Sequence, residues 1–364
     1  MLLFLTVIWL SLFATTVIAC KVPVFRYALE RWNTDRYKMI VMVDDGTGDS
    51  AKESIEMLRG SDASKDANVD IEVINMDQLS EQQLWQLEDF DPDVQTPHLQ
   101  VFYPEREGRR RLCWEGPMSL EVVRGWLDSP LRATLQQDLV GGASAVWLFI
   151  EGPDSDVNAE VERVVQQGLR LASDQILIPD GVIPRDGASE YIRSHPGASM
   201  DDVLRSDVPL RVDFQVRRLA RSDTDEIAVR KMVTGLAASA DVPLLVPIFG
   251  RGRMLDAIDA SGIDSETILN ACRYMVGECS CTVKTQNPGV DMLISTDWPS
   301  ALGGETIVLV EAPLNATPQV IDIPSGSVVV AETERRSLFS WGAVGVSVAL
   351  MSLLLCIMVW RRIV

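Results

Sequence analysis

The chain has 364 residues and a formal net charge of −19, with 52 acidic against 33 basic side chains. Such a charge disfavours binding of nucleic acid or of an anionic lipid surface, so nucleic acid is not expected as a partner. Six cysteines are few for a protein of this length to be built mainly from disulfides. Length alone predicts two domains, since a typical domain has about 100 to 200 residues.

Both ends of the chain carry uncharged apolar stretches. Residues 1–19 end in small or short apolar side chains and predict a signal peptide that is cleaved before Cys20, with an uncleaved anchor as the alternative. The four residues up to Cys20 also resemble the lipobox of bacterial lipoproteins, which makes Cys20 a candidate for lipidation. Residues 338–360 span ~34 Å as a helix and predict a transmembrane segment, because the hydrocarbon core is ~30 Å thick. We therefore expect an extracytoplasmic body that is anchored in the membrane by this helix, with a cytoplasmic tail at 361–364.

The first predicted element of the body is a helix at residues 22–32, whose apolar side chains share one face and which opens the first domain. Strand, helix, strand and helix patterns follow in that order, at residues 38–43, 50–58, 69–74 and 78–87. Thr96 and Pro97 then precede a predicted hairpin, and Ser119 caps a closing helix.

This order resembles the thioredoxin fold, with Pro97 at the position where that family has its cis-proline. The resemblance covers about residues 22–134 and implies a pair of cysteines in the loop after the first central strand. That loop, residues 44–49, has no cysteine. Thiol–disulfide exchange needs a thiolate of low pKa at this position, so we expect domain 1, residues 20–134, to be redox-inactive.

A second copy of the pattern begins with an apolar strand at residues 145–150 and an acidic loop without cysteine. Pro97 precedes Ser119 by 22 residues, and Pro243 precedes the next predicted helix cap, Ser265, by the same 22 residues. This spacing predicts a second redox-inactive thioredoxin-like domain at 140–290, with Pro243 as its cis-proline candidate. A single mixed α/β domain of different topology is the alternative.

The second copy is longer than the first, and residues 179–208 accommodate the excess as a long excursion rich in Gly, Pro, Asp and Ser. Short strand patterns beyond it predict a β-rich extension or stalk at 291–337. The expected fold class is therefore α/β, with two tandem thioredoxin-like domains, a short β-rich segment and one C-terminal transmembrane helix.

The sharpest chemical candidates are three cysteines near the end of the second domain, Cys272, Cys279 and Cys281. A structural disulfide from Cys272 to either of the other two is the first expectation, and free structural thiols are the next. A metal site or a catalytic dithiol is the third reading, although a closed zinc site would need a fourth ligand and the sequence places neither histidine nearby. We expect no cofactor and no resident metal.

These features predict a non-catalytic, membrane-anchored interaction or assembly protein on the extracytoplasmic side of a bacterial envelope, with another protein as its partner. The alternative is a thiol–disulfide oxidoreductase or a metal-handling protein that uses Cys279 and Cys281.

Overall fold

The computed structural model describes residues 20–79, 95–237, 241–279 and 284–303. The expected signal peptide, the transmembrane segment at 338–360 and its tail lie outside these ranges, as do most of the helix at 78–87 and the stalk beyond residue 303. No helix within the described ranges is both long enough and apolar enough to cross a bilayer.

Strands and helices alternate along the described residues. The strands are β1 (Cys20–Pro23), β2 (Tyr37–Val43), β3 (Val69–Asn75), β4 (His98–Phe102), β5 (Leu112–Pro117), β6 (Ala145–Ile150), β7 (Phe214–Leu219), β8 (Leu244–Phe249), β9 (Arg253–Met254), β10 (Ile258–Asp259), β11 (Glu278–Cys279) and β12 (Val290–Asp291). The α-helices are α1 (Val24–Arg31), α2 (Asp49–Gly60), α3 (Asp62–Asp66), α4 (Leu120–Leu127), α5 (Pro130–Val140), α6 (Ser155–Gln175), α7 (Ala188–Ser194), α8 (Ile227–Thr234), α9 (Ser265–Val276) and α10 (Trp298–Ala301).

The larger strands form two sheets with the same internal order. The first sheet runs β3-β2-β4-β5, with β2 parallel to β3 and antiparallel to β4. The second runs β7-β6-β8-β9-β12, with β6 parallel to β7 and antiparallel to β8, and β10 also pairs with β8. In each sheet the first strand lies between the second and the third, and the fourth lies outside the third. This is the strand order of the thioredoxin-like fold, so the fold is α/β and thioredoxin-like.

Strand β6 divides the core of the molecule, because its side chains alternate between two buried clusters. Ala145, Trp147 and Phe149 face a cluster that includes α6 and α9. The alternate side chains face a second cluster that also contains the inward face of β2, and they are Val146, Leu148 and Ile150. The two sheets therefore share a core, and the boundary expected between residues 134 and 140 falls within α5.

The N-terminal helix α1 does not pack where the sequence suggested. We expected it to open the first domain, but Phe25, Ala28 and Trp32 at its inner face and end lie in the cluster beneath the second sheet. The physical reason is that Trp32 packs edge-on against Phe249 of the second sheet, while Arg26 and Glu30 bond to Ser206 of the excursion at 179–208. Leu29 lies in the shared core.

Three local predictions also differ from the structure. Helix α9 begins at Ser265 and has Asp264 as its N-cap, so Ser265 is not the cap. Helix α2 begins at Asp49 with Gly48 as its N-cap, so Ser50 is not the cap that the sequence suggested. The strand expected at 253–258 is divided into β9 and β10. Ser119 does cap α4, since its hydroxyl accepts a hydrogen bond from the Val122 amide.

The first residues of the expected stalk belong to the body. Met292, Leu293 and Ile294 are buried in the shared core. The Asn68 side chain donates to the carbonyl of Met292 at 3.2 Å and accepts from the Ile294 amide at 2.8 Å. A segment that follows the second sheet is thus bound to the first, and any stalk begins beyond it.

Candidate functional site

The loop that would carry the cysteine pair of a redox thioredoxin faces Pro97. The Thr96–Pro97 peptide bond is cis. The Thr96 hydroxyl donates to the carboxylate of Asp44, and the Thr47 hydroxyl donates to the same carboxylate at 3.1 Å. The hydrogen bond from Thr96 is the main reason that the pKa of Asp44 is below its usual value. The loop beside Pro97 therefore holds an ionised carboxylate at neutral pH, at the position where redox exchange requires a thiolate.

The corresponding corner of the second sheet differs, because the Val242–Pro243 bond is not cis. The Pro243 ring lies directly on the backbone of Gly152, where an added Cβ would approach the ring Cδ to 2.6 Å. Pro243 thus packs closely against the loop at 151–156, because Gly152 has no side chain there. Of the two expected cis-prolines, Pro97 is cis and Pro243 is not.

Three of the described cysteines, Cys20, Cys272 and Cys279, are buried, Cys113 is half-buried, and burial makes them poorly suited to act as nucleophiles. Burial raises the pKa of Cys113 and of Cys272 to about 12, and it also raises the pKa of Cys20. A thiol with such a pKa is protonated at neutral pH, and the thiolate is the reactive form.

Cys272 is a thiol in the structure, and so are Cys20 and Cys279. The disulfide expected from Cys272 to Cys279 or Cys281 stays a prediction, because Cys281 lies outside the described residues. The Cys272 side chain lies on the buried face of α9 beside the Trp147 indole, in the buried cluster that also contains Cys279. Cys279 lies in β11. Within those residues, no group of three His, Cys, Asp or Glu side chains is placed to hold a metal ion.

An apolar cavity of about 470 Å³ opens where α4 approaches the start of α8. We call it the tryptophan cavity. Its apolar wall consists of Trp114, Val122, Trp126, Pro130, Ile227 and Ala228. The rings of Trp114 and Trp126 both line the cavity, with their centroids 5.8 Å apart. Sites that bind small molecules or side chains are commonly of this size and mostly apolar.

Charged residues rim the tryptophan cavity, and they are predominantly acidic. The charged lining residues are three carboxylates and one guanidinium, namely Glu121, Asp128, Asp225 and Arg124. The Ile227 side chain stands among them with 51% of its surface exposed, although it is strongly apolar. The cavity therefore combines an exposed apolar surface with a rim that attracts positive charge.

Buried polar groups fix the walls of this cavity. The Glu226 carboxylate is 3% exposed and accepts hydrogen bonds from the Ser129 hydroxyl at 2.5 Å and from the Leu131 amide at 2.7 Å. It thus joins the start of α5 to the start of α8. Arg132 donates to the carbonyls of Gly125 and Trp126 at 3.0 and 2.9 Å and so holds the end of α4.

Sequence reasoning missed the tryptophan cavity. Its two tryptophans belong to the predicted hairpin and the predicted closing helix, but Ile227 belongs to a helix that the sequence did not single out. An isoleucine that directly follows the acidic run Asp223–Glu226 was the one available signal, since such a run predicts an exposed turn.

Comparison with known proteins finds no matching family model and no matching curated protein. Among solved structures, the chain is similar to full-length ERdj5, with 9% identity over 73% of this chain and 33% of that chain, at a TM-score of 0.21. It is also similar to the first two thioredoxin domains of Saccharomyces cerevisiae Eps1p, with 11% identity over 68% of this chain and 94% of that chain, at a TM-score of 0.21. The chain therefore spans about a third of ERdj5. With scores this low, the class of the protein rests on its own strand order, which is thioredoxin-like.

Proposed function

We propose that this protein is a non-catalytic binding protein in which two thioredoxin-like domains in tandem, with α1 packed against the second, form one interaction platform. The observation that carries the proposal is the tryptophan cavity, an open apolar site between elements of the two sheets. Its partner is a protein segment that places an aromatic or aliphatic side chain between basic residues. The acidic rim supports this choice, as does the net charge of −19.

The site beside Pro97 supports a role without redox catalysis. Asp44 occupies the loop there and is held by hydrogen bonds from Thr96 and Thr47. Burial raises the pKa of Cys20, Cys113 and Cys272, so these thiols are not activated.

We also propose that the body lies on the extracytoplasmic side of a bacterial membrane and that a single helix at 338–360 anchors it. The support is the sequence alone, namely an apolar N-terminal stretch of the signal-peptide type and an uncharged C-terminal stretch long enough to span the bilayer.

The competing function is thiol–disulfide exchange or metal handling through Cys279 and Cys281. A catalytic thiol is normally activated at a helix N-terminus, whereas Cys279 lies in β11, beyond the C-terminal end of α9. Cys279 is also 1% exposed, which hinders access by a substrate disulfide.

Reduction of insulin by dithiothreitol distinguishes the two functions. The full chain is expected to leave the rate at the level of dithiothreitol alone, because burial raises the pKa of Cys20, Cys113 and Cys272, while thioredoxin as the positive control accelerates it. The Cys279→Ser and Cys281→Ser variants should give the same background rate. Turnover by the natural chain that disappears in these variants would replace the binding function with the oxidoreductase.

A further inference from the structure

The N-terminal strand β1 pairs with β11, far away in the sequence, and this pairing places two cysteines opposite each other. Cys20 and Cys279 are direct partners in the antiparallel register. Both side chains belong to the same buried cluster, with 5% and 1% of their surfaces exposed. Cysteines 259 positions apart in the chain therefore meet at one buried position.

The direct opposition of this pair is compatible with a disulfide, although both residues are thiols in the structure. Directly opposite residues of antiparallel strands have Cα atoms about 4.5 to 5.5 Å apart and side chains on the same face of the ribbon. Disulfides span Cα separations of about 4.4 to 6.8 Å. We propose that Cys20 and Cys279 form a disulfide that joins the N-terminal strand to the end of the second sheet's closing helix.

Neighbouring groups hold the two strands in place around this pair. The Lys21 ammonium contacts the Glu278 carboxylate at 2.8 Å, and the Lys21 amide donates to the Asp202 carboxylate at 2.8 Å. The Val24 amide donates to the Gly277 carbonyl at 3.0 Å. These contacts hold the two strands together on the side that leads from Cys20 into α1, where the register shifts between Cys20 and Pro23.

Cys272 is not a competing partner, although it lies in the same cluster. It projects from α9 into the core beside Trp147, whereas Cys20 and Cys279 lie on paired strands. The disulfide thus uses a different pair from the one that the spacing of Cys272, Cys279 and Cys281 suggests.

The reaction is an exchange with a disulfide donor of low molecular weight or with a protein disulfide. The two thiols of the chain lose two protons and two electrons, the donor's S–S bond breaks, and the donor leaves as two thiols. In the structure the Cys20 thiol donates to the Asp201 carbonyl at 3.0 Å, and this hydrogen bond is lost on oxidation. Since both sulfurs are buried once β1 is paired, the exchange takes place during folding.

The disulfide also excludes lipidation of Cys20. A lipobox cysteine carries its diacylglycerol on sulfur through a thioether, so one sulfur atom cannot form both bonds. A lipid attached to the Cys20 sulfur would also have to reach the membrane from a buried position, since Cys20 is 5% exposed. The structure thus favours a buried cross-link at the position where the sequence permits an anchor.

Peptide mapping without reductant tests the proposal on the full chain, exported to the periplasm of a bacterial host and blocked with iodoacetamide. Trypsin cuts after Lys21, Arg273 and Lys284, so Cys279 and Cys281 leave together on one peptide, while Cys272 leaves on another. The expected product is the Cys20 peptide linked to peptide 274–284. The link should persist in Cys281→Ser, which assigns it to Cys279, and disappear in Cys279→Ser.

Three results would overturn the proposal. They are a Cys20 peptide with the mass of a diacylglyceryl group, a Cys20 thiol blocked by iodoacetamide, and a link that is lost in Cys281→Ser. The last result remains decisive even where Cys279→Ser fails to fold, because Cys281→Ser leaves Cys279 as the sole cysteine of its peptide.

A second sample separates a failure of export from a failure of the disulfide. The reduced chain is unfolded in urea and refolded with oxidised glutathione, which supplies the disulfide donor. The same link should form, and the Tm of the oxidised chain should exceed that of the reduced chain by about 5 to 10 °C. Absence of the link in both samples would refute the proposal.

Discussion

Replacing Glu30 with alanine should lower the free energy of unfolding by about 3 to 5 kcal/mol, because it leaves a buried arginine without its counter-charge. Glu30 Oε1 lies 2.9 Å from the Arg26 Nε, and both side chains are fully buried. The carboxylate also accepts from the amides of Arg205 and Ser206 at 2.9 Å each, and from the Ser206 hydroxyl at 3.0 Å. Helix α1 should lose part of its connection to the excursion at 179–208, where Arg26 and Arg31 still donate to backbone carbonyls.

Equilibrium unfolding in urea measures this effect, and the chain offers a matched control. Glu160 forms the same kind of ion pair with Arg163, but 61% of each side chain is exposed. Glu160→Ala should therefore change the stability by no more than about 0.5 kcal/mol. Glu30→Gln should be intermediate, because an amide has one acceptor oxygen for several donors. Equal effects of Glu30→Ala and Glu160→Ala would show that the buried pair does not hold α1.

The second large effect is expected for Arg132→Met, with a loss of about 3 kcal/mol. Arg132 is 2% exposed, and burial lowers its pKa to about 10, so the group remains charged at neutral pH. It donates to the carbonyls of Gly125, Trp126 and Leu293. Methionine fills a similar volume but donates to none of them, so these buried carbonyls lose their partner.

Arg193→Met is the matched control, since Arg193 forms an ion pair whose side chains are more than 70% exposed. Its urea midpoint should stay close to that of the natural chain. In Arg132→Met, hydrogen exchange should also become faster in the last turn of α4, where the carbonyls lose their donor. A midpoint as high as that of the control would contradict the role given to Arg132.

The thioredoxin-like pattern was readable from the sequence because strand periodicity and proline placement are local signals. The apolar run at 145–150 is β6, and the run at 244–249 is β8, with the expected bounds. Strand β7 was missed, since Arg217 and Arg218 interrupt its apolar pattern. An edge strand with exposed side chains carries a weaker signal than a buried one.

Long-range contacts were not readable from the sequence, and these decide the site. Nothing in residues 22–32 indicates that α1 packs beneath the second sheet, because an apolar helical face does not specify its partner. The pairing of Cys20 with Cys279 follows from that placement. The tryptophan cavity likewise depends on the approach of α4 to α8, which Glu226 and Ser129 fix by a contact between distant residues.

Binding at the tryptophan cavity is the central claim, and fluorescence anisotropy with labelled peptides on the full chain in nanodiscs tests it. The basic peptide KKLFKK should bind saturably, and the acidic peptide EELFEE at least about tenfold more weakly. Ile227→Asp should weaken binding of KKLFKK at least about tenfold, because burial of an isoleucine contributes about 1.5 to 3 kcal/mol. Leu177→Asp adds the same charge at a side chain that is 83% exposed and not part of the cavity wall, and it should leave the affinity unchanged. Equal affinity for Ile227→Asp and the natural chain, or no saturable binding of KKLFKK, would contradict the account.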